Sequence, residues 1–524
     1  MVLDFILALL PIIWLFVAFL VLKMPGYIGC LIALVISIVE SIIFKSAGIS
    51  ETLSGLTVGE SLTASLEGAI AAIWPIGLII IAAMFTYNLC VETKAMDLIK
   101  KMLTSVTNDK RVLVLILAWG FGGFMEGVAG FGTAVAIPAA MMVALGFNPL
   151  FSAVACLVAN AAPPTFGSIG IPTTTAATLV GVDPLVIAGP AINMLAIPAL
   201  LSPFIIVALT GKTENASGAF KGMMGFTALA GLSYVIPAWL VGHYVGAETV
   251  DIIGCTVSLI VMVLVAMKRK PTEDPAYIME MSNEEEKELA NIKFGYVTAW
   301  LPYILMLVLI IATSKLVPGI NAWAGQFVSK ITVYSGENPG MIKLAYINGA
   351  LLIFIAGVIG GLFQGASVGT LGKVLVKTIK GMWKAIVTIV FIVAMAKVMG
   401  YSGMTSSIAT LLADLTGSAY PALAPLVGII GTFVTGSTTS SGIIFAQMQA
   451  EVAGILGADP VQLVAANMAG GAIGKLISPQ SIAVAIAAIG LEGADGQIMA
   501  KTAKYCVLFG IIVCAFSYIT AVVL

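Results

Sequence analysis

Two ionisable side chains stand in long stretches that carry no other charge. Glu126 falls in Gly120-Phe121-Gly122-Gly123-Phe124-Met125-Glu126-Gly127-Val128-Ala129-Gly130-Phe131-Gly132-Thr133. Lys475 falls in Asn467-Met468-Ala469-Gly470-Gly471-Ala472-Ile473-Gly474-Lys475-Leu476-Ile477-Ser478-Pro479-Gln480-Ser481. A carboxyl group in a low-dielectric setting favours its protonated form, so Glu126 can load and release H⁺. The alternative is a structural acid held by neighbouring glycine amides. A buried lysine needs an anion: for Lys475 that is a substrate carboxylate or an internal acid such as Glu126, unless its amine snorkels to the interface. Hydroxyls, amides and flexible backbone cluster around the pair: Gly127, Gly130 and Thr133; Asn160, Ser168, Gly170 and Thr173; Thr435, Ser437, Thr438 and Thr439; Asn467, Ser478 and Gln480. Such a set can hold a small carboxylate through hydrogen-bond donors.

Covalent and metal chemistry is poorly served. His243 is the only histidine and the second candidate for handling a proton, although it falls near a predicted outer span end. HExxH centres are impossible, and an intramembrane protease would need a catalytic dyad, which one histidine near a membrane end serves poorly. The six cysteines form no CxxC pair, and there is no GxSxG elbow or P-loop, so no metal, disulfide framework or cofactor is expected.

The elements that must position these residues follow from composition. Of 524 residues, 60% are apolar and 10% charged, too little polar surface for a soluble domain, and the net charge of -1 points to no nucleic acid. Runs of ~20 apolar residues predict spans at 1–22, 26–44, 69–90, 185–209, 222–243, 251–267, 295–313, 344–362, 383–400 and 505–524. Two more, 150–180 and 460–489, are broken by Pro, Gly, Ser and Asn. Segments 112–146 and 420–457 read as re-entrant hairpins, because irregular backbone survives in lipid only around a protein-enclosed cavity. Helices restarting after Pro172 and Pro479 would aim positive N-termini at a bound carboxylate. Asp4, Glu40 and Asp251 lie near span ends and are expected to face water. Lys397, within 383–400, is expected to snorkel.

The unit recurs. Trp74 and Trp383 are 309 residues apart, as are Gly127 and Gly436, while Asn160 and Asn467 are separated by 307. Ahead of Trp74 stand only Glu60 and Glu67, whereas Lys373, Lys377 and Lys380 precede Trp383; after the span the bias flips. Lysine-rich loops are cytoplasmic, so the copies are inverted. The expected fold is an all-α integral membrane protein of about twelve spans plus two hairpins, termini outside. Its parts are N-terminal helices 1–56, a first repeat 57–267, a cytoplasmic linker 268–293 with the solvated run Glu284–Glu288, connecting helices 294–366 and a second repeat 367–524. The 314–343 loop, with Lys315, Lys330 and Lys343 outside, fits this threading least well.

The run Gly123–Thr133, together with Asn160-Ala161-Ala162-Pro163, Phe166-Gly167-Ser168-Ile169-Gly170 and Ile477–Ser481, resembles the bacterial L-lactate permease family over most of the chain. Two positions depart from the family pattern: Ala134 replaces the usual Pro, and Gly436-Ser437-Thr438-Thr439 lacks the acid or Asn common there. The resemblance implies a symporter of the bacterial cytoplasmic membrane taking up lactate, or in some members glycolate, with H⁺, on an ion-transporter-like scaffold with a moving transport domain. A sodium-coupled carboxylate carrier or an ion antiporter of related fold stays open, since carbonyls and hydroxyls also coordinate Na⁺. Expected partners are a small carboxylate and the lipid bilayer; a homodimer is left open.

Overall fold

The computed structural model describes residues 2–22, 24–47, 53–130, 132–279, 294–314, 316–337, 339–491 and 493–523. The acidic run Glu284–Glu288 lies outside them, as does Phe131. Among the described residues eleven helices are long and apolar enough to cross a membrane. All but Lys110–Val128, which is buried throughout, leave apolar surface exposed, as lipid requires. On Gly26–Ala47, Leu31, Val35, Val39 and Ile43 form an exposed i, i+4 stripe, while Ala33, Ser37 and Ser41 face inward.

One order of elements occurs twice. A long helix (Val58–Ala71 and Leu78–Glu92; Val368–Tyr401) leads to a shorter one (Ala95–Thr104; Met404–Thr416). Next comes a hairpin with an inbound and an outbound arm. The first has Lys110–Val128 and Thr133–Ala144, the second Tyr420–Thr435 and Thr438–Leu456. A broken helix and a closing helix follow (Pro184–Thr213; Asp495–Tyr518). The first long helix starts at Val58, eleven residues before the apolar run suggests, and kinks at Trp74 (φ -115°, ψ 114°). Trp74 precedes Pro75, a position that disfavours helical backbone.

The two hairpins are stitched into one body by a swap. The outbound arm Thr133–Ala144 packs on Pro479–Ile489, and the outbound arm Thr438–Leu456 packs on Gly167–Val180. Arg111 anchors the base of the first hairpin. It bonds both oxygens of Asp109, donates to the carbonyls of Ala219 and Lys221, and stacks on Tyr277.

Three expectations change. The second helix break is confined to Lys475–Ser478, and Asn467–Gly474 stays helical. Its glycines serve packing: a Cβ at Gly474 would strike the Ile429 carbonyl and one at Gly470 the Pro425 carbonyl. The 314–343 loop holds a short helix, Pro318–Ala324, and a two-stranded antiparallel sheet, Val328–Thr332 with Met341–Ala345. Asp251, Asp4 and Glu40 are buried and do not face water. Hydropathy marks where apolar runs end but is blind to neighbours that cover the ends.

Candidate functional site

The two arms of the first hairpin meet through Gly130 (φ +61°) and Gly132 (φ +87°), both in left-handed backbone. No side chain fits there, since a Cβ on Gly130 would collide with Ser168 Oγ and one on Gly132 would lie 2.9 Å from Val484. The second turns at Gly436 (φ +72°), which abuts Gln480. The first broken helix, Pro149–Ala159, gives way to irregular backbone from Asn160 and resumes after three consecutive left-handed residues: Ser168 (φ +47°), Ile169 (φ +61°) and Gly170 (φ +69°). Left-handed backbone is unusual for a polar residue and a genuine outlier for β-branched isoleucine, so surrounding structure must impose it. Gly170 is pressed onto the Ala247–Glu248 backbone, Ser168 Oγ donates to Ala129 O (3.0 Å), and Thr173 donates to Thr165 O (2.7 Å).

These pieces enclose a cavity of about 1140 Å³. Glu126, Ser168, Thr435, Ser437, Thr438, Thr439, Lys475 and Gln480 all line it, and the exposed Lys384 and Asp495 are also in its wall. At the buried end Lys475 Nζ meets Glu126 Oε1 at 2.6 Å, with 12% and 3% of the two side chains exposed. Asn160 Nδ2 donates to Glu126 Oε2 (3.1 Å). Gly167 lies so close that a Cβ would come within 2.7 Å of Glu126 Oε1. The acid's partners are thus a lysine and an amide, not glycine N–H groups, and Lys475 is an ion-pair partner, not a snorkelling residue.

Two helix N-termini open on the same space. Ser437 caps Thr438–Leu456 by accepting from Ser440 N (3.2 Å), and Ser478 caps Pro479–Ile489 by accepting from Ser481 N (3.5 Å). Their first turns, through Ser440 and Ser481, line the cavity beside Lys475. Positive helix ends, hydroxyls and an ammonium converge where an anion can sit.

Other expected site residues do structural work. Gly127 is absent from the wall and packs against Asp251 and Ile252, as Gly123 does against Cys255. Thr133 ties the turn to Met125 O and Gly130 O. Asn467 accepts from Gln449 (3.3 Å), itself bonded by Tyr420. His243 is absent from the wall; its Nδ1 lies 2.8 Å from Trp239 O. Lys397 ion-pairs with Glu67 (2.8 Å). Sequence reasoning missed this pair and the burial of Asp251. The matching i, i+4 spacings of Gly123/Gly127 and Asp251/Cys255 are a signal that could have found the latter. Among the described residues no cluster of His, Cys, Asp and Glu suits a metal ion.

Comparison with known proteins adds identity. The family model for L-lactate permease matches residues 4–524. An L-lactate permease of Streptococcus iniae is 40% identical over 88% of this chain and 93% of its own length. Glycolate permease GlcA of Escherichia coli K12 is 32% identical over 98% of this chain and 94% of its own. Two solved structures share the fold: Neisseria gonorrhoeae MtrF, presented as one of a class of antimetabolite efflux pumps, at 15% identity, and the Alcanivorax borkumensis YdaH transporter at 16%. Each aligns with 94% of this chain at a TM-score of 0.51, and the alignment covers 95% of the first and 98% of the second.

Proposed function

This chain belongs to the L-lactate permease family, a multi-pass membrane transporter, and we propose that it takes up L-lactate or a similar small 2-hydroxymonocarboxylate with H⁺ across the bacterial cytoplasmic membrane. The observation that carries the proposal is the Glu126–Lys475 ion pair at the inner end of a cavity lined by two helix N-termini. Relatives named for lactate and for glycolate fit one substrate class, a carboxylate with an adjacent hydroxyl.

The charges suggest the coupling. An arriving carboxylate competes with Glu126 for Lys475. Once the lysine turns to the substrate, Glu126 is an unpaired carboxylate in a nearly dry site, which is costly, and taking up a proton relieves it. Substrate anion and proton then load together, and the site carries no net charge beyond its empty state. The cavity far exceeds the volume of lactate, so most of it serves as access path, and selection falls to its inner end. Lysine-rich loops mark the cytoplasm; Lys384 in the wall therefore supports an inward-facing arrangement.

The test is uptake of labelled lactate into proteoliposomes under imposed H⁺ or Na⁺ gradients, with a panel of small carboxylates as competitors. A pH gradient drives accumulation on this reading, and Glu126→Gln abolishes that drive while lactate counterflow persists. Accumulation that follows Na⁺ alone, or proton-driven uptake unchanged in Glu126→Gln, overturns it.

A further inference from the structure

Asp251 is one of the buried carboxyls that the mechanism above leaves unused. Asp251, in the first turn of Val250–Lys268, is fully buried. The Cys255 thiol donates to its Oδ1 (3.2 Å), and its Oδ2 has no hydrogen-bond partner. An unpaired carboxylate is costly in the interior, so a proton on Asp251 is part of the proposal made below. It faces the inbound arm of the first hairpin where that arm has no side chain. A Cβ on Gly127 would lie 3.0 Å from Asp251 Oδ2, and one on Gly123 would run into Cys255 Sγ. Asp251 therefore abuts the backbone of the residue that follows Glu126. The other titratable or charged groups that act on it are Glu126, Lys475, Cys255 and the buried phenol of Tyr234.

The residues just before Asp251 border a second cavity, of about 330 Å³. Glu248 and Thr249, within one helical turn of Asp251, line it with Asp183, Asn321 and Asn348. Ser168 lines the large cavity and the fully buried Ile169 lines this one, so the left-handed turn is the partition between them.

We propose that Asp251 is the proton donor to Glu126, recharged from the second cavity past Glu248. An O–H bond breaks at Asp251 as one forms on Glu126, and the resulting Asp251 carboxylate takes the next proton from the second cavity. The proton's route thus runs behind Ile169, apart from the path of the substrate. This inference rests on the proton-coupled reading above.

Proteoliposomes holding the full chain and labelled L-lactate test it, with a pH-sensitive dye reporting proton movement. Asp251→Asn is expected to cut pH-driven accumulation at least tenfold more than it cuts counterflow. Asp251→Glu restores accumulation with a displaced pH profile. Asp251→Asn that accumulates lactate as the wild type does overturns the relay. Should that variant fail to assemble, Asp251→Glu with an unchanged pH profile overturns it instead. Wild-type protein that ignores the pH gradient sinks the proton-coupled reading itself, an outcome distinct from either.

Discussion

At two places among the described residues a lysine from the second half meets a buried glutamate from the first. Lys475 pairs with Glu126 at 2.6 Å, and Lys397 with Glu67 at 2.8 Å. Exposure does not separate the two, since Lys397 keeps 20% of its side chain exposed and Lys475 12%. A glycine lies over each acid: a Cβ at Gly167 would come within 2.7 Å of Glu126 Oε1, and one at Gly340 within 3.0 Å of Glu67 Oε1. What differs is what else can reach the carboxylate. The Tyr401 hydroxyl donates to Glu67 at 2.9 Å, its ring stacks on Tyr334, and the backbone around Gly340 closes over it. Glu126 has Asn160 on one side and the large cavity on the other. On the proposed mechanism, the same pair of residues is a fixed joint where neighbours hold the acid, and an exchangeable contact where a cavity admits a competitor.

That contrast can be broken from either side. Lys397→Met leaves Glu67 buried without its cation and is expected to cost about 3–5 kcal/mol of stability. Glu67→Gln/Lys397→Met, which keeps an acceptor for Tyr401, should recover most of it. Thermal unfolding in detergent measures both, and a Lys397→Met protein as stable as wild type would erase the distinction. Lys475→Met acts on transport instead. Losing a charge-assisted partner for the substrate carboxylate is expected to lower lactate uptake about a hundredfold, or about 2.7 kcal/mol. Its unfolding temperature should fall less than that of Lys397→Met, because Glu126 borders the cavity and Glu67 does not. Tyr401→Phe comes next, removing one donor to Glu67 at a cost of about 2 kcal/mol.

Much of this was legible in the chain. Charge is expensive in lipid, so Glu126 and Lys475 stood out, with Glu126 one of two anions open to the lysine, and the two breaker-rich units fell in the same order as the hairpins and broken helices. Glycine misled, because a glycine that accepts a left-handed turn and one that lets two helices touch look alike. Gly130 and Gly132 are the former, Gly123, Gly470 and Gly474 the latter, and only three-dimensional neighbours tell them apart. Asp251 misled for a similar reason. It ends an apolar run, but the tight segment from Gly246 to Thr249 tucks that end inside the protein. Glu67 and Lys397 are 330 positions apart in the chain, and neither residue's surroundings announce the other.

The smallest effect expected sharpens the comparison most. Tyr334 stacks on Tyr401 with ring centroids 3.8 Å apart and planes 9° from parallel, and Ser335 bonds Thr63, so the segment around Gly340 is fastened over Glu67 at two points. An aromatic pair is worth about 1 kcal/mol beyond its buried area. Tyr334→Leu should therefore lower stability by about that amount and leave lactate uptake within about twofold of wild type, since a fixed joint gains nothing from a looser cover. Uptake that collapses in Tyr334→Leu as it does in Lys475→Met would mean that the cover lifts and closes during transport. The Glu67–Lys397 pair would then be a second exchangeable contact, and the difference in their neighbours would no longer explain their roles.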